Sequence, residues 1–261
     1  MLLNNKVAIV SGIGPGLGQH LATHCAKEGA HVVLAARSAD KLDAAEAAIA
    51  SLGLNTRVLK VPTDIADPDA CTALVAATCA HFGGVDVLLN SAYTGGEMTP
   101  VENANLADWR NTMDTNFFGS MQLTLAAVPS MKQRGGGAIV MVNTMVVRKA
   151  MAYNAGYSAS KGALKTATAH LALELGQYGI RVNSAFMGWM WGPNVQGYVR
   201  QAAASQGVSE ERVVEGIAQH IALRRIPTDA NCAKAVIMLA SDYASEVTGA
   251  CLDVNGGDFI P

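Results

Sequence analysis

Continuous apolar runs alternate along the chain with stretches that have helical spacing. The runs predict strands at residues 6–12, 31–36, 57–62, 85–91, 138–143, 180–186 and 250–254. They are unbroken rather than alternating, which is typical of parallel strands covered on both faces. Helical patterns fall between them, at residues 17–28, 39–51, 67–82, 106–133, 156–177 and 229–241. The repeated strand–helix order predicts an α/β fold, with one doubly wound parallel sheet in a single domain over residues 1–261.

A glycine-rich turn directly follows the first predicted strand and opens the first predicted helix. It reads Ser11-Gly12-Ile13-Gly14-Pro15-Gly16-Leu17-Gly18. Glycines at such a turn let the backbone approach a pyrophosphate, and the helix N-terminus supplies amide donors. Glycines placed only for close packing of helix against strand remain the alternative.

Tyr157 and Lys161 lie four residues apart in a predicted helix, so they share one face. A neighbouring ammonium favours phenolate and is expected to lower the pKa of Tyr157 toward neutrality. Such a phenol exchanges protons near physiological pH. Elsewhere in proteins a Tyr–Lys pair at this spacing is usually an exposed surface pair, so its meaning depends on the surrounding motifs.

The glycine turn and Tyr-x-x-x-Lys about 140 residues later resemble the short-chain dehydrogenase/reductase family over essentially the whole chain. Asn90-Ser91-Ala92 stands where the family usually has Asn-Asn-Ala-Gly, and Thr144 stands where it has its catalytic serine. The resemblance implies a Rossmann-type sheet of seven strands in the order 3-2-1-4-5-6-7. It also implies an oxidoreductase with the catalytic residues Asn116, Thr144, Tyr157 and Lys161.

In the family these residues have separate roles. Tyr157 would exchange the proton, Lys161 would lower its pKa and bind the nicotinamide ribose, and Thr144 would bind the substrate oxygen. Asn116 would hold the helix geometry and a water that relays protons. The cofactor site is predicted to include Ser11, Gly12, Gly14, Gly16, Leu17, Gly18, Arg37, Ser38, Asp64, Ile65, Asn90, Ser91, Ala92, Tyr157, Lys161, Met187 and Gly188.

The end of the second strand bears on cofactor choice. It carries Ala36 where an acid would bind the ribose of NAD, and Arg37 with Ser38 are suited to a 2′-phosphate. The sequence therefore favours NADP(H), with NAD(H) possible if Arg37 instead stacks on adenine or lies in solvent. Asp64 either contacts the adenine or caps the helix that begins near Asp67.

Several positions depart from the family pattern. Tyr93 replaces the glycine after Ala92, and Met187-Gly188 replaces Pro-Gly. Gly192 stands near the threonine that usually contacts the nicotinamide carboxamide. The segment 188–226 breaks the strand–helix rhythm and is predicted to be a substrate-binding lid. The predicted substrate pocket comprises Met145, Trp189, Met190 and Trp191, and the alternative for both tryptophans is that they are core or interface anchors.

Composition limits the partners, the compartment and the metals that we expect for the protein. A net charge of −2 gives no reason to expect nucleic acid or an anionic membrane as a partner. Five scattered cysteines without a Cys-x-x-Cys motif indicate free thiols in a reducing compartment, so we expect a cytoplasmic protein. No metal is expected, since His20 and His24 share a helix face without the glutamate of a metalloprotease motif.

The sequence also predicts an oligomeric state and an activity. The small and apolar helix positions Ala163, Ala167, Leu171, Ala172 and Leu175 agree with the family's habit of forming homo-oligomers, and we expect a tetramer. The function predicted is hydride transfer between a nicotinamide cofactor and an apolar secondary alcohol or ketone. The alternatives are a reductase of 3-ketoacyl groups on a carrier protein, and a non-catalytic member that only binds cofactor.

Overall fold

Seven parallel strands form one sheet in the protein, whose computed structural model describes residues 1–261. The strands are β1 (Val7–Ser11), β2 (His31–Ala36), β3 (Val58–Pro62), β4 (Val87–Asn90), β5 (Gly137–Thr144), β6 (Ile180–Met187) and β7 (Cys251–Val254). Their order in the sheet is β3-β2-β1-β4-β5-β6-β7, and every neighbouring pair is parallel. The fold class and strand order expected from the sequence are confirmed.

Helices cover both faces of the sheet. They are α1 (Leu17–Lys27), α2 (Ala39–Ala50), α3 (Pro68–Phe82), α4 (Leu106–Met113), α5 (Ser120–Gln133), α6 (Ala155–Leu175), α7 (Pro193–Gln206), α8 (Glu210–Ala218) and α9 (Asp229–Ala240). Successive strand residues point to opposite faces, so Ala8 and Val10 join the core beneath α1, α2 and α9. Val7 and Ile9 join the core beneath α3, α5 and α6.

The single helix expected over residues 106–133 is interrupted. A π-helical turn from Asp114 to Gly119 separates α4 from α5. A Cβ on Gly119 would lie 2.8 Å from Cγ1 of Ile65, so this turn packs directly against the loop after β3. Inserted π turns are frequent at functional sites, and this one carries Asn116.

The segment 188–226 contains two helices that the apolar pattern did not indicate. Pro193 occupies the first turn of α7, and Gly207 ends that helix in the left-handed conformation. The Ser209 hydroxyl accepts a hydrogen bond from the amide of Arg212 and caps α8. These are ordinary helix-boundary residues, so the capping signals were present where the apolar spacing was weak.

None of these helices has both the length and the apolar character needed to cross a lipid bilayer.

Candidate active site

A cavity of about 720 Å³ opens at the carboxyl ends of β1, β2, β4, β5 and β6. Ligands of open α/β sheets bind at this edge, and the volume lies within the range of about 300–1,000 Å³ found for small-molecule sites. The structure brings most predicted site residues to its wall: Gly12, Gly14, Gly16, Leu17, Gly18, Arg37, Ser38, Asp64, Ile65, Ser91, Ala92, Thr144, Tyr157, Lys161, Met187, Gly188 and Met190.

The glycine turn is built for close backbone contacts. A Cβ on Gly12 would lie 2.3 Å from the Ala92 amide nitrogen, and one on Gly18 would lie 2.1 Å from the Gly12 carbonyl oxygen. Nothing lies within 4 Å of a Cβ on Gly14, which faces open cavity. No side chain caps the N-terminus of α1 and no acid lies in its first turn. The turn therefore fits the pyrophosphate of a dinucleotide.

The opposite end of the cavity is basic. Arg37 and Lys41 are both exposed and line it, and neither forms an ion pair. Asp64 also lines it, and its Oδ1 accepts a hydrogen bond from the Ala66 amide at 3.0 Å. The side chain of Asp67 caps α3, so the alternative that Asp64 is the cap is wrong.

Tyr157 and Lys161 lie on the first turns of α6, as their spacing predicts. Lys161 is 2% exposed, and its Nζ donates a hydrogen bond to the Val142 carbonyl oxygen at 2.7 Å. Burial lowers the pKa of Lys161 from 10.5 to about 7. Burial raises the pKa of the Tyr157 phenol above its usual value, because phenolate is poorly solvated there.

The expectation that Lys161 lowers the pKa of Tyr157 toward neutrality is wrong, because burial raises that pKa and Lys161 makes no opposing contribution to it. The Lys161 ammonium is directed at the backbone of β5, and with a pKa of about 7 it is only partly charged at neutral pH. The side chain that does favour the Tyr157 phenolate is Thr144, whose hydroxyl lowers the pKa against the effect of burial.

Asn116 does not line the cavity, but it connects two segments that do. Its Oδ1 accepts from the Thr94 amide at 2.8 Å, and its Nδ2 donates to the Thr94 carbonyl at 2.9 Å. Nδ2 also donates to Ser160 Oγ at 3.0 Å, and Ser160 Oγ donates to the Tyr157 carbonyl at 2.7 Å. Asn116 is therefore placed to fix the loop after β4 relative to Tyr157.

Three other predicted residues are also buried away from the cavity. Ser11 Oγ donates to the Leu89 carbonyl at 3.4 Å, and Asn90 Nδ2 donates to Thr124 Oγ1 at 3.0 Å. Both side chains thus stabilise the centre of the sheet. Met145 is buried, although its Sδ would lie 3.2 Å from a Cβ on Gly188. It supports the cavity wall from behind.

The two tryptophans of the predicted substrate pocket do not line the cavity, whereas Met190 between them does. The Trp189 ring packs 5.3 Å, centroid to centroid, from that of Tyr198 in α7. The Trp191 amide donates to the Pro227 carbonyl at 2.7 Å. These contacts join the start of the 188–226 segment to α7 and to the residues before α9.

Several cavity residues were not assigned to the site from the sequence, among them Tyr93, Asn194 and Asp229. Asn194 Nδ2 donates to the Tyr93 hydroxyl at 2.7 Å, which joins the loop after β4 to α7 across the cavity. The Tyr93 ring lies 6.2 Å from that of Tyr157. Asp229 lines the cavity at the start of α9. The replacement of glycine by Tyr93 was visible in the sequence, but nothing local indicated Asn194 or Asp229.

A family model described as enoyl-(acyl carrier protein) reductase matches residues 12–258. Dehydrogenase/reductase SDR family member 4 of Oryctolagus cuniculus is 32% identical over 98% of this chain and 94% of its own length. The chain belongs to the short-chain dehydrogenase/reductase family. Levodione reductase of Leifsonia aquatica is 28% identical over 97% of this chain and 94% of its own length.

Solved structures of the family have the same fold over nearly the whole chain. L-sorbose reductase from Gluconobacter frateurii, complexed with NADPH and L-sorbose, superposes with a TM-score of 0.92. It is 30% identical, and the match covers 98% of each chain. The protein is therefore similar in sequence and in fold to oxidoreductases of this family.

Proposed function

We propose that the protein interconverts an apolar secondary alcohol and its ketone, with NADP(H) as cofactor and Tyr157 as the proton donor and acceptor. The observation that carries the proposal is the convergence of Thr144, Tyr157 and Lys161 on the cavity that the glycine turn borders. Proton-transfer groups and a dinucleotide-sized cleft in one cavity suit hydride transfer to or from a carbon–oxygen bond.

The nicotinamide cofactor, when bound, supplies the hydride to the carbonyl carbon or accepts it from the alcohol carbon. In reduction the Tyr157 hydroxyl gives its proton to the ketone oxygen, and in oxidation the phenolate takes it back. The Thr144 hydroxyl donates a hydrogen bond to the same oxygen and stabilises charge that develops there. Lys161 would bind the ribose hydroxyls of the nicotinamide, and Asn116 positions the helix that carries Tyr157 and Lys161.

NADP(H) is favoured because the cavity end at β2 has two unpaired cations and no acid on the strand end. Arg37 and Lys41 both border it. A guanidinium binds phosphate in a bidentate way, and Lys41 adds a second positive charge. The similar L-sorbose reductase is complexed with NADPH, which supports the same choice here.

The apolar substrate is inferred from apolar side chains in the wall of the cavity that also contains Tyr157. Tyr93, Met98, Met190 and Val195 contribute to the cavity, and the last two belong to the 188–226 segment. We expect this segment to act as a lid over the substrate, with Met190 and Asn194 as its contact residues rather than the two tryptophans.

A substrate panel tests the proposal. The purified protein is assayed in both directions with NADP(H) and NAD(H), using apolar ketones and alcohols of graded size and a 3-ketoacyl thioester. We expect turnover of apolar ketones, faster with NADPH. A preference for the thioester would favour the ketoacyl reductase, and cofactor binding without any turnover would favour a non-catalytic member.

A further inference from the structure

The 188–226 segment begins in contact with the turn that follows β7, residues 255–258, which we call the C-terminal turn. A Cβ on Gly188 would lie 2.6 Å from Asn255 Cβ and 3.2 Å from Met145 Sδ. Asn255 and Met145 are both buried. The Gly188 backbone is therefore held between the C-terminal turn on one side and the residues that follow β5 on the other.

The same segment also ends in contact with the C-terminal turn. The Leu223 amide donates a hydrogen bond to the Gly256 carbonyl at 3.0 Å. A Cβ on Gly257 would lie 2.6 Å from Ala222 Cβ, so the two backbones approach closely. Because both ends of the segment contact this one turn, the position of the turn determines where the segment lies relative to the cavity.

An ion pair holds the C-terminal turn in place. Lys149 Nζ donates to Asp258 Oδ1 at 2.7 Å and to the Asp258 carbonyl oxygen at 3.2 Å. The Asp258 side chain is 3% exposed, and its Oδ2 is buried without a hydrogen-bond partner. A buried carboxylate is costly unless it is paired. The Lys149 ammonium therefore determines where this carboxylate, and the turn that carries it, can lie.

Lys149 itself lies in the turn that follows Thr144 at the end of β5. Ser158 Oγ donates to the Val146 carbonyl in the same turn at 3.0 Å. Ser158 is the neighbour of Tyr157 in α6. The turn is thus joined to α6 beside Tyr157, and through Lys149 to the C-terminal turn.

We propose that Lys149 and Asp258 are positioning residues, whose ion pair fixes the 188–226 segment relative to Thr144 and Tyr157. Neither residue lines the cavity, so their effect on a substrate is transmitted through the C-terminal turn. The kinetic consequence rests on the proposed function, because it assumes that the segment covers a ketone substrate. The structural consequence, a segment that is held less firmly when the pair is broken, does not depend on that function.

Steady-state kinetics at saturating NADPH test the kinetic consequence. Asp258→Asn removes the charge and keeps the shape, and Lys149→Met removes the partner. We expect each to raise KM for bulky apolar ketones at least about tenfold with kcat within about threefold of wild type, because contacts that hold the substrate are misplaced. Lys149→Arg keeps the charge and should hold KM within about threefold of wild type.

A second lysine provides the matched control. Lys60 forms ion pairs with Asp43 at 2.7 Å and with Glu46 at 2.6 Å, and it does not line the cavity. Lys60→Met therefore removes a lysine ion pair without touching the C-terminal turn. We expect this variant to keep the KM and the kcat of the wild-type protein.

Limited proteolysis of the protein without cofactor tests the structural consequence. Trypsin can cut the 188–226 segment after Arg200, Arg212, Arg224 and Arg225. We expect cleavage in this segment to be at least about fivefold faster in Asp258→Asn and Lys149→Met than in wild type, because local opening becomes easier. Cleavage elsewhere in the chain should not change, and Lys60→Met should follow wild type.

The outcomes separate the two proposals. A raised KM and faster cleavage confined to the segment, both absent in Lys149→Arg, support the inference. A lower kcat with unchanged KM, or faster cleavage along the whole chain, would show that the pair serves stability alone and would overturn it. Wild-type KM and cleavage in Asp258→Asn would also overturn it, even if Lys149→Met does not fold. A wild-type protein that turns over no ketone would refute the proposed function, while proteolysis would still decide the inference.

Discussion

Burial of Lys161 should make the protein measurably less stable at neutral pH than at alkaline pH. The pKa of Lys161 falls from 10.5 to about 7 on folding. Between these values the unfolded chain binds more protons than the folded one, so this group makes stability rise with pH. Below pH 7 Lys161 destabilises the folded protein by the full difference between these two pKa values, which corresponds to about 5 kcal/mol. This destabilisation decreases progressively as the pH rises from 7 to about 10.5.

Lys161→Met removes this penalty while nearly preserving the volume of the side chain. It also leaves the Val142 carbonyl, which accepts from Lys161 Nζ at 2.7 Å, without its partner. An unpaired buried acceptor costs about 1–3 kcal/mol. We therefore expect the variant to be about 2–4 kcal/mol more stable than wild type at pH 7. That advantage should vanish near pH 10.

The assay is equilibrium unfolding in urea at pH values from 6.5 to 10, at one protein concentration. Only the difference between variant and wild type is interpreted, because other buried groups such as the Cys25 thiol, whose pKa is raised to about 12, also titrate. Lys165→Met, an exposed lysine one turn further along α6, is the control and should follow wild type. Parallel pH profiles for Lys161→Met and wild type would refute the reasoning.

Three further predictions concern cofactor, substrate and assembly. Arg37→Ala should weaken NADP(H) binding at least about tenfold while NAD(H) binding changes little; equal losses in fluorescence titrations would show that Arg37 does not bind the 2′-phosphate. Tyr93→Gly, which removes the ring beside Tyr157 and its bond to Asn194, should raise kcat/KM for bulky ketones at least about tenfold relative to small ones; an unchanged ratio would exclude Tyr93 from substrate selection. Light scattering should give a tetramer of 27.1 kDa subunits, and a monomer at micromolar concentration would contradict the oligomer.

Features encoded by neighbouring residues were predictable from the sequence. The seven strands follow from unbroken apolar runs, and each lies within two residues of its predicted bounds. The glycine turn and the Tyr157–Lys161 spacing are local patterns whose geometry follows once the strand or helix is recognised. The resemblance to the family then supplied the strand order, which periodicity alone does not contain.

Features that depend on distant contacts were not predictable. The π turn at Asp114–Gly119 has helix-compatible residues, and its irregular course accompanies contacts with Ile65 and Thr94. Trp189 and Trp191 mark an apolar segment, but neither lines the cavity. The Trp189 ring packs against Tyr198, and the Trp191 backbone bonds to Pro227.

A Cβ on Gly192 would lie 1.9 Å from Asp229 Oδ2, and this proximity has the same origin. Each residue is unremarkable in its own segment, and the hydrogen bond between Trp191 and Pro227 brings the segments together. The shift of the Lys161 pKa likewise depends on burial by the whole fold, which the spacing of Tyr157 and Lys161 does not reveal.

The most direct test of the account is the turnover of Tyr157→Phe. The substitution removes one hydroxyl from a buried ring, so it deletes the proposed route for the proton without emptying the cavity. We expect kcat for ketone reduction to fall by at least about a hundredfold, with the dissociation constant for NADPH within about twofold of wild type. A Tyr157→Phe variant that retains the wild-type kcat would contradict the central claim.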